Sequence, residues 1–414
     1  MEIRTKLKNY AVRKWGDICR HTHYALLGIP FAFAIGALVL GVASVIRINQ
    51  VLDGQAFQYA AEQYEASSSN YRQLTVLSSS LRQDDGSAPR ATSEGLSAQK
   101  VQQLHESLEL IERSNTGGMG ARQNNFGSSN ETAIWKDCYS STAFYPAIGS
   151  INGKETGSLE RCEIVGVSGD YATIHPFRYE SGGFLSPEGG DRYAIVLNTQ
   201  MAWNLFHSFQ VTGASVTING SVYQVCGVVC EGDDAIAETT GVTDARAYIC
   251  FEQLANLANG SSVPSNSFDQ ENAVTVDSLA VMSYEVLLQD PIDNIAYNDL
   301  VAAMGEVLGY SEGSKDIQII NNTGRFGAWK LWKKYFPLKN AYAGYDGMSV
   351  PFYERSARLA EQYIVFWAEV LVASIVVLIV AGCHIYVTFH GRNTKHAQQD
   401  EEDEDEIIPQ IQRV

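Results

Sequence analysis

The sequence predicts an α+β protein: a mixed α/β domain outside the cytoplasm, carried on two transmembrane helices with helical stalks. Three observations lead there. Two long apolar runs lie near the two ends of the 414-residue chain. The segment between them is acidic and alternates helix-period with strand-period patterns. Basic side chains gather on the flanks of the runs that face away from that segment.

Taken in order, residues 1–23 carry six basic side chains (Arg4, Lys6, Lys8, Arg13, Lys14, Arg20) against Glu2 and Asp17, which assigns them to the cytoplasm. Tyr24 to Ile46 then runs without a formal charge, bounded by His23 and Arg47. Crossing roughly 30 Å of hydrocarbon takes about 20 helical residues, so residues 24–46 can span. The run exceeds the ~7–15 residues of a secretory signal core, and no A-x-A-type site follows, so an uncleaved anchor is expected. Asn49 to about Ser67 places Val51, Phe57, Ala60, Ala61 and Tyr64 at helical spacing, which predicts a helix rising from the membrane.

A strand is expected from Tyr71 to Leu77, then a polar loop, RQDDGSAPRATSEG. Ser97 is positioned to cap a helix with the stripe Val101, Leu104, Leu108 and Ile111. Gly117, Gly118, Gly120 and Gly127 mark 115–130 as a flexible loop. From 157 the period changes. SLERCEIVGVSG and RYAIVLN read as buried strands, TQMAWNLF as a short helix, and ASVTING-SVYQVCGVVC as two strands joined at Asn219-Gly220, a strong hairpin signal. ARAYICF is a further strand. SYEVLLQD, then Ile295 to Leu308, then DIQIINN give strand, helix, strand, the order of half a ferredoxin-like unit.

From Val350 one long helix is expected, with no Pro or Gly between Phe352 and Ala381. It runs into the second apolar stretch, Val370 to Phe389, where His384 and Cys383 are the ionisable side chains. The expected organisation is therefore a basic cytoplasmic segment 1–23, a first span 24–46, an extracytoplasmic domain 47–363, a second span 364–389 and a cytoplasmic acidic tail 390–414. Both termini are expected in the cytoplasm.

The net charge is −17, and residues 24–368 hold 21 basic against 37 acidic side chains. Such a field disfavours nucleic acid and anionic headgroups as partners. Cys138, Cys162, Cys226, Cys230 and Cys250 lie in the extracytoplasmic segment, where disulfides persist. Cys226 and Cys230, four apart on one strand, sit roughly 13 Å from each other, too far to bridge directly. A 226–250 or 230–250 bridge, unpaired core thiols or a metal site stay open, as does a Cys138–Cys162 bridge.

RFGAWKLWKKYFPLK, residues 325–339, mixes aromatic with basic side chains. Trp329, Trp332, Lys333 and Lys334 are candidate membrane-interface residues, against an ordinary amphipathic helix packed on the domain. The run Asp400 to Glu406 reads as a solvated tail or a dock for a basic partner. No Ser-His-Asp pattern, no HExxH and no carboxylate pair of diagnostic spacing occurs, so no catalytic, cofactor or metal residue is assigned and an enzyme is not expected.

The order of segments resembles the periplasmic core domain of MacB-type ABC transporter permeases. The resemblance rests on Tyr171, Gly183-Phe184-Leu185, Val196-Leu197-Asn198, Leu205-Phe206, Ile218-Asn219-Gly220, Tyr223, Val225, Gly227 and Val228. It covers roughly residues 24–255 and continues to 388. It implies ferredoxin-like halves plus a small α/β insertion, and a job: converting cytoplasmic ATP hydrolysis into movement of the outer domain. It also implies partners, an ABC ATPase subunit and other permease subunits. The sequence departs from the family in having two spans where the family has four. Gly153-Lys154 is followed by Glu155, without a P-loop around it, and the chain carries DEEDEDE at 400–406 in place of further spans. The expectation is a permease subunit needing a separate ATPase; the alternative is a membrane-anchored binding or sensor module without transport activity. The ligand is not encoded in any motif.

Overall fold

A computed structural model describes residues 2–64, 70–81, 88–120, 135–186, 190–232, 235–239, 242–259, 275–311, 313–335 and 350–411. In chain order its first elements are α1 (Glu2–Asp53), α2 (Ala60–Gln63), β1 (Tyr71–Ser78), β2 (Ser80–Leu81), β3 (Arg90–Ala91), α3 (Ala98–Gly120), β4 (Lys136–Ile151) and β5 (Lys154–Gly169). Next come α4 (Tyr171–Ile174), β6 (Arg178–Gly182), β7 (Ala194–Asn198), α5 (Thr199–Phe206), β8 (Ser215–Ile218), β9 (Ser221–Cys230) and α6 (Ala235–Thr239). The series ends with β10 (Arg246–Cys250), α7 (Phe251–Asn259), β11 (Ser283–Gln289), α8 (Ile295–Leu308), β12 (Ile317–Asn321), α9 (Ala328–Tyr335) and α10 (Phe352–Ile411). Two compact units result: residues Val51–Gln362, and Met1–Gln50 together with Tyr363–Val414.

The larger unit is built on a ten-stranded sheet in the order β12-β1-β11-β4-β5-β10-β7-β9-β6, with β8 pairing β4 and β9. In the run β12-β1-β11-β4 each strand is antiparallel to its neighbour. With α3 after β1 and α8 after β11 they make a βαββαβ unit, the ferredoxin-like half. The chain from β5 to β10 is an insertion between that unit's second and third strands. It adds two parallel pairings, β5 with β10 and β7 with β9. Asn152 and Gly153 (φ 51° and 76°) turn the β4–β5 hairpin, and Asn219 and Gly220 (φ 44° and 81°) turn β8 into β9, as the Asn-Gly signal predicts.

Period-two alternation gives the sheet two different buried faces. One carries Leu74, Val76, Ile164, Ile195, Leu197, Ile249, Val286 and Leu288, packed with Leu104 and Leu108 of α3, Leu254 of α7 and Leu300 and Met304 of α8. This is the main core. The other face alternates with it along the same strands and is mostly polar: Gln73 and Thr75 on β1, Ser283 and Glu285 on β11, Glu163 on β5 and Arg246 on β10, all buried. A smaller apolar cluster sits with them, including Phe57, Val165, Tyr171, Phe177, Val196, Tyr248, Phe352 and Tyr353.

Helices α1 and α10 contain stretches long and apolar enough to cross a membrane, Gly28–Asp53 and Phe352–Thr388, of which residues 28–50 and 363–388 belong to the smaller unit. Their large side chains point outward, among them Phe31, Phe33, Leu40, Val376, Ile379 and Val380. Small residues let the two helices approach: a Cβ added to Gly41 would lie 3.7 Å from Leu371 and 3.8 Å from Ser374. The hydroxyls of Ser44 and Ser374 donate to the carbonyls of Leu40 and Val370 at 2.8 Å, so neither is left unsatisfied in an apolar setting.

Several elements differ from expectation. The helix expected to continue to about Ser67 stops at Asp53, because Gly54 breaks it; a 3-10 turn (Ala56–Gln58) and the short α2 follow. The loop expected over 115–130 is helix as far as Gly120, while 121–130 lie outside the described residues. ARAYICF is a strand only to Cys250, and Phe251 already opens α7. Strand β4 was not anticipated. Its Pro146 is exposed at a register shift between Tyr145 and Ala147, the one kind of strand position that tolerates a missing donor.

Candidate coupling site at the head of the C-terminal helix

The polar face of the sheet is covered by two short segments of the larger unit, Gln55 to Ala60 and the first turns of α10. Gln73 fixes the first segment: its amide donates to the Phe57 carbonyl at 2.8 Å and accepts from the Ala60 amide at 3.1 Å. Gln55 donates to the Ser356 hydroxyl at 3.1 Å, joining the two segments to each other.

The head of α10 is held by charge. Glu354 and Glu361 are seven residues apart and so share one helix face. Arg325, in the turn after β12, lies between them. Its Nη1 and Nη2 donate to the two Glu354 oxygens at 2.6 and 2.9 Å, and its Nε donates to Glu361 Oε1 at 2.5 Å. Nη1 also reaches Gln58 at 3.3 Å and Asn322 at 3.4 Å. Arg358 donates to Glu354 at 2.5 Å, Lys334 donates to Glu361 at 2.6 Å, and the Tyr335 hydroxyl also donates to Glu361. Burial alone would lower the Arg325 pKa, but Glu354 and then Glu361 outweigh it and push it up, so the guanidinium stays charged.

Asn322 links this cluster to a second one by donating to Thr75 Oγ1 at 2.8 Å. There the Tyr353 hydroxyl donates to Glu285 at 2.6 Å and touches Ser283 at 2.7 Å, while His175 Nε2 lies 2.9 Å from Glu285. Ligand atoms of Cys138, His175 and Glu285 fall within 4.8 Å of one another. Burial, and next the Glu285 charge, push the Cys138 thiol well above its usual range. A thiol held protonated is a poor ligand and a poor nucleophile. With Glu285 already engaged by Tyr353 and His175, the cluster fits a hydrogen-bonded core.

A third cluster centres on Arg246, which donates to Glu163 at 2.6 and 2.9 Å and to Glu231 at 2.5 Å. Burial raises the Glu231 carboxyl above its ordinary value even though Arg246 pulls it down. The Phe352 ring, at the start of α10, lies over the Arg246 guanidinium at 3.7 Å. Three consecutive residues of α10, Phe352, Tyr353 and Glu354, thus each engage a different buried polar cluster. Among the described residues of this face, no nucleophile paired with a base opens onto a cleft. These contacts hold the head of α10 in one register.

Of the alternatives left open for these cysteines, the bridges are not formed in the structure, and the topology is consistent with that. Strand β7 lies between β9, which carries Cys226 and Cys230, and β10, which ends at Cys250. Cys138 pairs with Gly169 on β5, whereas Cys162 pairs with Tyr145, so the two lie seven positions apart along one hairpin. Burial pushes the thiols of Cys226 and Cys162 up, to about 11 and about 12. Trp329, Trp332, Lys333 and Lys334 all fall on α9, but Arg325 of the same segment is buried in the hub; residues 336–339 lie outside the described residues. Sequence reasoning missed the hub. The signal was present in Glu354 and Glu361, two acids seven residues apart among the buried positions of α10, which require cations.

The architecture is a mixed α/β domain whose polar sheet face receives the head of a long helix, in a chain with two helices long and apolar enough to cross a membrane. The family model of the MacB-like periplasmic core domain matches residues 31–301, and the chain belongs to that family. Among solved structures it is similar to the periplasmic region of MacB from Actinobacillus actinomycetemcomitans, at 14% identity and TM-score 0.34, over 61% of this chain and 89% of that one. It is also similar to the extracellular domain of the noncanonic ABC-type transporter YknZ from Gram-positive bacteria, at 15% identity and TM-score 0.33, over 61% and 100%. No curated protein matches the chain.

Proposed function

We propose that this chain is a permease subunit of an ABC-type transporter, that its outer domain is coupled to the membrane through α1 and α10, and that a separate ATPase subunit drives it. Membership of the MacB-like family supports the class. The observation that carries the coupling is the Arg325–Glu354–Glu361 clamp: a charged, fully paired grip on the first three turns of the helix that continues into the second span. A passive tether needs no such grip. The basic flank of residues 1–23 and the acidic tail from 390 are the segments proposed to face the cytoplasm, where they would meet the ATPase.

The test is purification of the full chain from its native membrane in mild detergent. An ATPase subunit is expected at near-stoichiometric amount, with hydrolysis that changes when Arg325 is replaced by Met. Consistent absence of any ATPase would overturn the reading in favour of a stand-alone binding module.

A further inference from the structure

Helix α9 has the sequence AWKLWKKY, with three lysines and no acid, in a chain of net charge −17. Its two faces are sharply different. Leu331 and Tyr335, one turn apart, are buried, whereas Trp329 is 68% exposed and Trp332 39%. Lys333 sits above the exposed Trp329 ring at 5.3 Å, and Lys330 lies beside them, its ammonium donating to the Thr323 carbonyl at 3.0 Å. A large indole left in water is costly, and Trp with Lys is the pairing favoured at the headgroup level of a bilayer.

The inner face of α9 fixes its place along the chain's path to the membrane. Lys334 and Tyr335 both bind Glu361, which precedes Tyr363 by two residues on one continuous helix, about 3 Å of rise. Tyr363 and Phe366 are the first exposed large apolar residues of that helix. Glu361, the residue that α9 binds, thus precedes the large apolar side chains of the second apolar stretch by only a few residues in sequence.

We infer that α9 is an interfacial anchor whose exposed face, Trp329, Trp332, Lys330 and Lys333, binds the anionic phospholipid headgroups of the outer leaflet. The acidic field of the remaining domain repels the same headgroups, so α9 is where the domain touches them. The anchor would set the height of the clamp above the bilayer, and it works with or without a bound ATPase.

The full chain is placed in nanodiscs of phosphatidylcholine alone and of phosphatidylcholine mixed with phosphatidylglycerol, and amide exchange of residues 324–335 is followed. Exchange is expected to slow in the anionic discs by about fivefold for each lysine engaged. The K330E/K333E variant should lose that slowing while keeping the thermal midpoint of the wild type. Lipids brominated near the headgroup should quench the wild type more than W329F. Equal exchange in both lipids, or slowing that survives K330E/K333E, would overturn the assignment, as would equal quenching of the two proteins.

Discussion

The two faces of the sheet both carry buried side chains and are stabilised by different means. The helix-covered face is a close-packed apolar core, where each fully buried Leu or Ile contributes about 1.5–3 kcal/mol through non-directional contacts. The opposite face carries Gln73, Glu163, Arg246, Glu285 and the Arg325 hub, where removing one partner leaves a charge or polar group stranded. Packing tolerates small adjustments; a bidentate ion pair does not. The face that receives the head of α10 is the one with discrete geometry, which suits a contact that must be either made or released.

Four measurements on the full chain in detergent would break or sharpen this contrast. The largest effect is expected from Arg325→Met, which strands Glu354 and Glu361 and should cost about 3–5 kcal/mol in denaturant unfolding. Replacing the whole triad, R325M/E354L/E361L, should recover most of that stability. If the triple variant stayed as unstable as the single one, the hub would be an ordinary part of the core. On the apolar face, Leu104→Ala should cost about 2–5 kcal/mol through lost burial and a cavity, with no second substitution of a neighbour able to restore it. Gln73→Leu, which removes the bonds to Phe57 and Ala60, should cost about 1–3 kcal/mol and should raise exchange of the 55–60 amides above that of α3.

The smallest effect concerns pH. Burial, and next Asp299, push the Glu112 carboxyl from its ordinary 4.5 up to about 7. A raised carboxyl pKa means that its contribution is full below about pH 4.5 and is lost as the pH climbs through about 7. Glu112 is partly exposed, so the amount is about 1 kcal/mol or less. Glu112→Gln should match the wild type near pH 4.5 and exceed it in thermal midpoint at pH 8; equal midpoints at both pH values would remove Glu112 from the account.

Much of the fold is legible from local signals. Asn219-Gly220 announces a hairpin, Ser97 begins α3, and the strand-helix-strand pattern around Ile295 to Leu308 is β11-α8-β12. These work because turn chemistry and periodicity act over a few residues. What escapes is long-range. Whether Cys226 or Cys230 could reach Cys250 stays open in the sequence because the intervening strand, β7, cannot be inferred from spacing. Arg325 reads as one more basic residue in an amphipathic stretch, yet it is buried by partners at 58, 322, 354 and 361. The unannounced β4 has Pro146 and Gly149 inside it, residues that mark turns unless a bulge and a close neighbour account for them, as the approach of Phe206 to Gly149 does here.

The order in which the chain is made gives the α10 head a further consequence. Gln73, Glu163, Arg246, Glu285 and Arg325 are all synthesised before Phe352, Tyr353 and Glu354, which complete their surroundings. Domains form from the N-terminal side during synthesis, so this face stays open until nearly the last of the domain has emerged. The residues that close it are followed directly by the second apolar stretch. Completion of the domain and delivery of that stretch to the bilayer thus become a single late event. A nascent chain stalled short of residue 352 would display a patch of unpaired buried-type charge, a ready mark for proteolytic clearance.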